Sequence, residues 1–70
     1  MTEPQSVGQK IRMLRRRRLM SAKDLAARSG ISVVTISNIE RDKLQTEPRP
    51  STLRKLADAL DVPYEELFLD

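Results

Sequence analysis

The chain has 70 residues, a formal net charge of +3, and neither cysteine nor histidine. It therefore has no disulfide framework and no ordinary zinc or thiolate site, and its length confines it to one domain near the lower limit for independent folding. Stability must come from helix packing, or partly from dimerisation, and no metal or cofactor is expected.

The charge is unevenly spread. Residues 1–43 carry ten Lys and Arg against four Asp and Glu, and residues 44–70 carry three against six, so +6 is followed by −3. A basic N-terminal half fits a polyanionic partner such as nucleic acid, although solvated surface charge gives the same imbalance. Met1 to Gln5 are polar and include Pro4, with no apolar signal-type core, and no apolar run is long enough to cross a bilayer. The expectation is a soluble intracellular protein with residues 1–5 as a flexible tail and 6–70 as the domain.

Val7, Ile11 and Leu14 recur at i, i+4 and i+7, predicting a first helix over about Ser6–Arg18. Ser21 then reads as an N-cap. Asp24 three residues later completes a capping box, and Met20 and Leu25 flank it as a hydrophobic staple. This second helix ends near Ser29, where Gly30 can take the left-handed conformation. The same grammar repeats at once. Ser32 is the next N-cap, Ile31 and Ile36 are its staple, and a third helix runs to about Arg41.

The run from Ile31 to Ile36 is rich in β-branched residues, and propensity alone would assign it to a strand. The cap, the preceding glycine and the spacing of Ile36 and Ile39 favour a helix. Pro48 and Pro50 place a loop over 42–50. Leu53, Leu56, Ala57 and Leu60 mark a fourth helix with Pro50 in its first turn. Pro63 then opens a short fifth helix carrying Leu67 and Phe68.

On a wheel of about 100° per residue, Thr35, Ile36 and Ile39 share one face of the third helix and are expected to dock on helices 1, 2 and 4. Val33, Val34, Ser37, Asn38 and Arg41 share the other. This outward set is short and chemically mixed. An asparagine can pair bidentately with adenine, a serine can donate or accept, and valine methyls can meet a thymine methyl in the major groove.

The segment from Ile11 to Glu40 contains a leucine-arginine pair, Leu14-Arg15, and a serine-capped helix with Leu25-Ala26. Gly30, the second cap at Ser32 and Ile36-Ser37-Asn38-Ile39-Glu40 follow. It resembles the Cro/phage-repressor (XRE-type) helix-turn-helix family, as does the later Leu56-Ala-Asp-Ala-Leu60-Asp-Val-Pro-Tyr-Glu-Glu-Leu67. Together these stretches cover nearly the whole chain.

The resemblance implies a compact all-α, five-helix, lambda-repressor-like domain with helices 2 and 3 as the helix-turn-helix. It implies a sequence-specific regulator of transcription, a repressor by analogy, that binds double-stranded DNA as a homodimer on a palindromic operator. The setting implied is the cytoplasm of a bacterial or phage-type system, on the nucleoid.

Helix 3 would enter the major groove and helix 2 would lie across the backbone with its N-terminal amides facing a phosphate. Base readers carried over by position are Val33, Val34, Ser37 and Asn38. Phosphate contacts fall on Arg15, Ser21, Ala22, Lys23, Arg41, Lys43 and Arg49. Glu40 matches a glutamate that pairs with an arginine of helix 1, here Arg15. With no separate oligomerisation segment, Tyr64, Leu67, Phe68 and Leu69 are the candidate dimer contacts, with capping of the core an equally good reading for Leu67 and Phe68.

Three positions depart from the family. Ala22 stands where glutamine is usual, and Leu19 and Asp42 stand where glycine commonly ends helices 1 and 3. Aspartate tolerates the left-handed region and leucine does so poorly, so helix 1 is expected to end differently. The loop after Glu40 is longer than usual, and Pro48 and Pro50 both fit the family's proline, which leaves Arg49 without a fixed role. A second reading is a helical protein-interaction module, antitoxin-like, with Val33 and Val34 as an apolar hot spot. Steep salt dependence separates DNA binding from it. An enzyme is not expected, because Ser21, Ser32 and Ser37 have no base nearby and no glycine-rich phosphate loop is present.

Overall fold

The computed structural model describes residues 6–43 and 48–69. The expected tail over 1–5 and the middle of the expected loop, 44–47, lie outside the described residues, as does Asp70. Among the described residues the order is α1 (Val7–Arg17), α2 (Ala22–Ser29), α3 (Val33–Glu40), α4 (Pro50–Ala59) and a terminal 3-10 helix (Tyr64–Phe68), with no strand. The all-helical expectation stands. The count does not: there are four α-helices, and the predicted fifth is a single 3-10 segment. Five residues after Pro63 are too few to sustain the wider α-helical ladder.

Each of the first three helices begins on a serine. The Ser6 hydroxyl accepts from the Gln9 amide at 3.1 Å while Gln9 Oε1 accepts from the Ser6 amide at 3.1 Å, a capping box. Ser21 and Asp24 form the predicted one, at 3.0 and 2.9 Å. Ser32 Oγ accepts from the Thr35 amide at 3.1 Å and donates to Thr35 Oγ1 at 2.9 Å. Such caps satisfy amides that have no partner inside their own helix, and each is worth about 1 kcal/mol. The β-branched run is therefore helical from Val33 onward, because the cap and the burial of Ile36 and Ile39 outweigh propensity.

The helix ends are alike in a less expected way. Leu19, Asp42 and Asp61 all have left-handed φ values, of 56°, 56° and 58°. In each case two reverse hydrogen bonds close the helix, as in Met20 N to Arg15 O at 3.1 Å and Leu19 N to Arg16 O at 3.0 Å. This is a Schellman closure. The expectation that Leu19 would make α1 end differently is thus overturned. The paired hydrogen bonds and the burial of the following Met20 hold leucine in a backbone region that costs it about 1–2 kcal/mol, while the Leu19 side chain itself is 93% exposed.

The core unites Ile11 and Leu14 of α1, Met20, Leu25 of α2, Ile36 and Ile39 of α3, Leu53, Leu56, Ala57 and Leu60 in and after α4, and Leu67. Fully burying each large aliphatic side chain contributes about 1.5–3 kcal/mol before entropy is charged against it. The staple residues Met20 and Leu25 both lie in this cluster, as does Ile36, and Ile31 packs against it. The principal neighbours of α3 are α1 and α2, whereas α4 packs on α2 and the terminal 3-10 helix. Helix α4 thus packs mainly on α2 and the terminal 3-10 helix rather than on α3, contrary to expectation, and shares the core with α3 through Leu53, Leu56 and Ala57. No described helix is long and apolar enough to cross a membrane.

Candidate nucleic-acid interface

Helix α3 is short, and its two long edges differ. Ile36, Ile39 and Glu40 are buried, and Val33, Val34 and Arg41 are exposed. Val34 leaves 70% of its surface in water, an unusual amount for a valine on a helix. Ser37 and Asn38 sit half-buried between the two edges. The four expected base readers are thereby brought onto one accessible stripe, apolar at its N-terminal end and polar toward its C-terminal end, with Arg41 beyond it.

The rear of α3 is fixed by charge. Arg15 of α1 grips Glu40 through two parallel hydrogen bonds, Nε to Oε2 at 2.8 Å and Nη2 to Oε1 at 2.9 Å. Its Nη1 donates to the Met20 carbonyl at 2.9 Å, so one guanidinium ties α1, the α1–α2 turn and α3 together. Hydrogen bonding to the Glu40 carboxylate raises the Arg15 pKa above its ordinary value, against an opposing effect of burial. Because this group is raised, its contribution is complete below the ordinary arginine range and is lost only as pH rises through the raised value. Fork-to-fork geometry of this kind fixes orientation as well as energy. Three of the five guanidinium N–H groups are committed inside the chain, which leaves two for an external anion.

Two further contacts hold the C-terminal end of α3, and neither was anticipated. A Cβ at Gly8 would run into the Ile39 carbonyl, so α1 and α3 touch backbone to backbone there. Beside it, Ser6 Oγ donates to Asp42 Oδ2 at 2.9 Å, joining the N-cap of α1 to the left-handed residue after α3. Gly8 is the second residue of α1, and a glycine inside an otherwise periodic helical stretch is the signal that could have pointed to it.

At the start of α2, Ser21 and Lys23 are exposed and Ala22 is half-buried. The Ala22 and Lys23 amides belong to the first turn, which has no intrahelical acceptors. The Asp24 carboxylate, however, occupies the same end. Hydrogen bonds from the Ser21 backbone and hydroxyl hold its pKa below the usual carboxylate value. A phosphate approaching α2 thus meets a fixed negative charge beside the amides.

Other expected contacts are scattered. Arg41 and Lys43 are exposed at the exit of α3, and Arg49 is exposed at the N-cap of α4, across the residues that are not described. Of the four candidate dimer contacts, Leu67 is 1% exposed and belongs to the core; that assignment is corrected, because the 3-10 turn aims it inward between α1 and α4. Phe68 and Leu69 remain 51% and 56% exposed. Tyr64 stacks edge-to-face on Phe68, with centroids 5.1 Å apart, and carries the Arg54 guanidinium 5.2 Å above its ring. Sequence reasoning also missed Lys10, which is buried on the inner face of α1 with its ammonium 3.7 Å from Glu66.

A helix-turn-helix family model, HTH_3, matches residues 11–67. An uncharacterised HTH-type transcriptional regulator of Bacillus subtilis, RghRB, is 53% identical over 61 residues, covering 87% of the chain and 43% of the relative. The HTH-type transcriptional repressor RghR of the same organism is 44% identical over 64 residues, covering 91% and 47%. The chain thus spans less than half the length of these two curated relatives. Among solved structures, the restriction-modification controller protein C.AhdI from Aeromonas hydrophila superposes with a TM-score of 0.81 at 35% identity, covering 89% of this chain and 91% of that one. The P22 c2 repressor bound to a synthetic operator superposes at 0.79 and 33% identity, covering 91% and 94%.

Proposed function

Because the chain belongs to the helix-turn-helix family matched over residues 11–67, we propose that it is a sequence-specific double-stranded DNA-binding regulator of transcription. It reads the major groove with the exposed edge of α3. The observation that carries this reading is the pairing of a short-chained stripe, exposed at Val33 and Val34 and half-buried at Ser37 and Asn38, with a rear face locked by Arg15 and Glu40. Reading bases requires a rigid helix whose side chains are short enough for close approach, and this helix has both properties. Val33 and Val34 serve thymine methyls, Asn38 serves adenine, and Ser37 adjusts to either edge.

The P22 repressor named above is bound to a synthetic operator, and RghR is a transcriptional repressor. By similarity the chain acts as a repressor-type regulator on the bacterial nucleoid. Phosphate contacts fall on Arg41 and Lys43 beyond α3, on Ser21, Ala22 and Lys23 at the start of α2, and on the two remaining donors of Arg15. Arg49 lies at the start of α4 and has the weakest support of the set. Two copies would span two half-sites about one helical turn apart. Tyr64, Phe68 and Leu69 form the surface available for that pairing.

Selection of bound sites from random duplex DNA tests the reading. The expected result is a reproducible palindromic motif that contains thymine opposite the valines and is relaxed when Ser37→Ala and Asn38→Ala are combined. Selection that yields no motif, or discrimination that survives the double substitution, overturns it. Binding that is insensitive to salt would favour an apolar protein partner at Val34 instead.

A further inference from the structure

The exposed side of α1 is a stripe of its own. Gln9, Arg12, Met13, Arg16 and Arg17 follow one another at i, i+3, i+4, i+7 and i+8 and face the exit of α3, forming an open groove against Arg41 and Lys43. Five cations line it. Among the described residues none of the five has an acidic partner within ion-pair distance. The two acids in the wall are turned to other tasks: Glu40 is gripped by Arg15, and Asp42 accepts from the Ser6 hydroxyl. Five cations against the one carboxylate charge of Asp42 leave an excess of positive charge, and an external anion relieves its self-repulsion.

We infer that this groove holds the DNA phosphates that flank the bases read by α3. Resting on the function proposed above, it extends that interface to Arg12, Arg16 and Arg17 on α1. The reason for choosing DNA over an acidic protein is continuity. Arg41 follows Asn38 by three residues and Val34 by seven, so the reading stripe of α3 runs directly into the groove. A strand leaving that stripe passes Arg41 and Lys43 and then meets the α1 arginines, which stand around Met13 in the same groove. Four of the five cations are arginines, whose planar forks match phosphate oxygens bidentately. These contacts carry no base information; they set affinity and register.

The test uses Arg12→Ala and Arg16→Ala together, with Arg12→Lys and Arg16→Lys as the charge-preserving control. Both residues are exposed and alanine is the best helix former, so thermal melts should match the parent. Binding is measured against the duplex recovered by site selection, once trimmed to its motif and once with flanks of about one turn on each side.

On the flanked duplex the alanine pair should lower the slope of log affinity against log salt by about 1.8, at about 0.9 per phosphate. The parent should then lose about tenfold more affinity than the variant between about 50 and 200 mM salt. The lysine pair should restore most of the slope, and the trimmed duplex should bind the parent and both variants equally. Equal slopes on the flanked duplex, or an equal loss on both duplexes, overturn the inference. If the parent selects no motif, the proposed function fails separately. The same variants on a mixed-sequence duplex then still decide the groove, a reduced slope supporting it and an unchanged slope overturning it.

Discussion

The two ends of α3 are built on different rules. Its C-terminal end is held three times over, by the Gly8 approach to Ile39, by the Ser6–Asp42 hydrogen bond and by the Arg15–Glu40 fork. Its N-terminal end rests on the Ser32 cap and on Ile31 and Ile36 beneath it, and it exposes Val33 and Val34. A helix anchored at one end can devote the other to recognition, because side chains there need not pack to keep the helix in place. Mutations at the anchored end should therefore cost stability, and mutations at the open end should change binding alone.

The largest expected effect is Gly8→Ala. The added methyl meets backbone, which cannot rotate away, so unfolding stability should fall by about 3 kcal/mol, at the upper end of ordinary overpacking costs. Urea denaturation measures this, and a loss below about 0.5 kcal/mol would show that α1 and α3 can separate freely. Glu40→Ala comes next. It strands a guanidinium that is mostly covered, and a loss of about 2 kcal/mol is expected, or about 10 °C in Tm for a domain of this size. Near-parent melting would place the anchor in Gly8 and Ser6 alone.

Leu19→Gly has the opposite sign. It relieves a left-handed leucine whose side chain touches little, so stability should rise by about 1 kcal/mol with base preference unchanged. Val34→Ala, at the open end, should move Tm by less than about 2 °C, since exposed substitutions fall within about 0.5 kcal/mol. It should nevertheless reduce discrimination at a thymine position by about 1 kcal/mol, read by competition between matched and substituted duplexes. The reverse pattern, lost stability with retained discrimination, would turn the comparison around.

The smallest effect concerns the start of α2. The pKa of Asp24 is lowered in the folded chain, so its cap is fully formed above the ordinary carboxylate range and weakens as pH falls through the lowered value. Asp24→Asn should flatten that part of the acid limb in melts between about pH 5 and pH 2. It should also tighten DNA binding slightly at low salt by removing a negative charge from the helix end. Weaker binding would mean that no phosphate sits there.

The elements were legible in the sequence where a single local device controlled them. Ser21, Asp24 and Gly30 bracket α2 through their own hydrogen bonds and one permissive glycine, and the prediction from 21 to 30 agrees with the structure residue for residue. The end of α1 misled for the opposite reason. Leucine disfavours a positive φ locally, but Met20 is drawn into the core and two reverse hydrogen bonds form only if Leu19 turns left-handed. Leu67 misled in the same way, since a residue near a terminus looks available until the 3-10 turn and the helices around it are in place.

For the candidate interface, the period of α3 was enough to sort Val33, Val34, Ser37 and Asn38 from Ile36 and Ile39. That sorting needs only a helical pitch and a distinction between apolar and polar surroundings. Local chemistry thus determined the caps and the periods of this protein, because each depends on residues within a turn or so of one another, and the charge asymmetry needed only a count along the chain. Tertiary structure alone decided that Gly8 must have no side chain, that Ser6 reaches Asp42, and that Arg12 and Arg16 line one groove with Arg41. Each of those pairings joins α1 to the end of α3, about 30 positions apart in the chain, and a sequence pattern carries no measure of such a distance until helices pack.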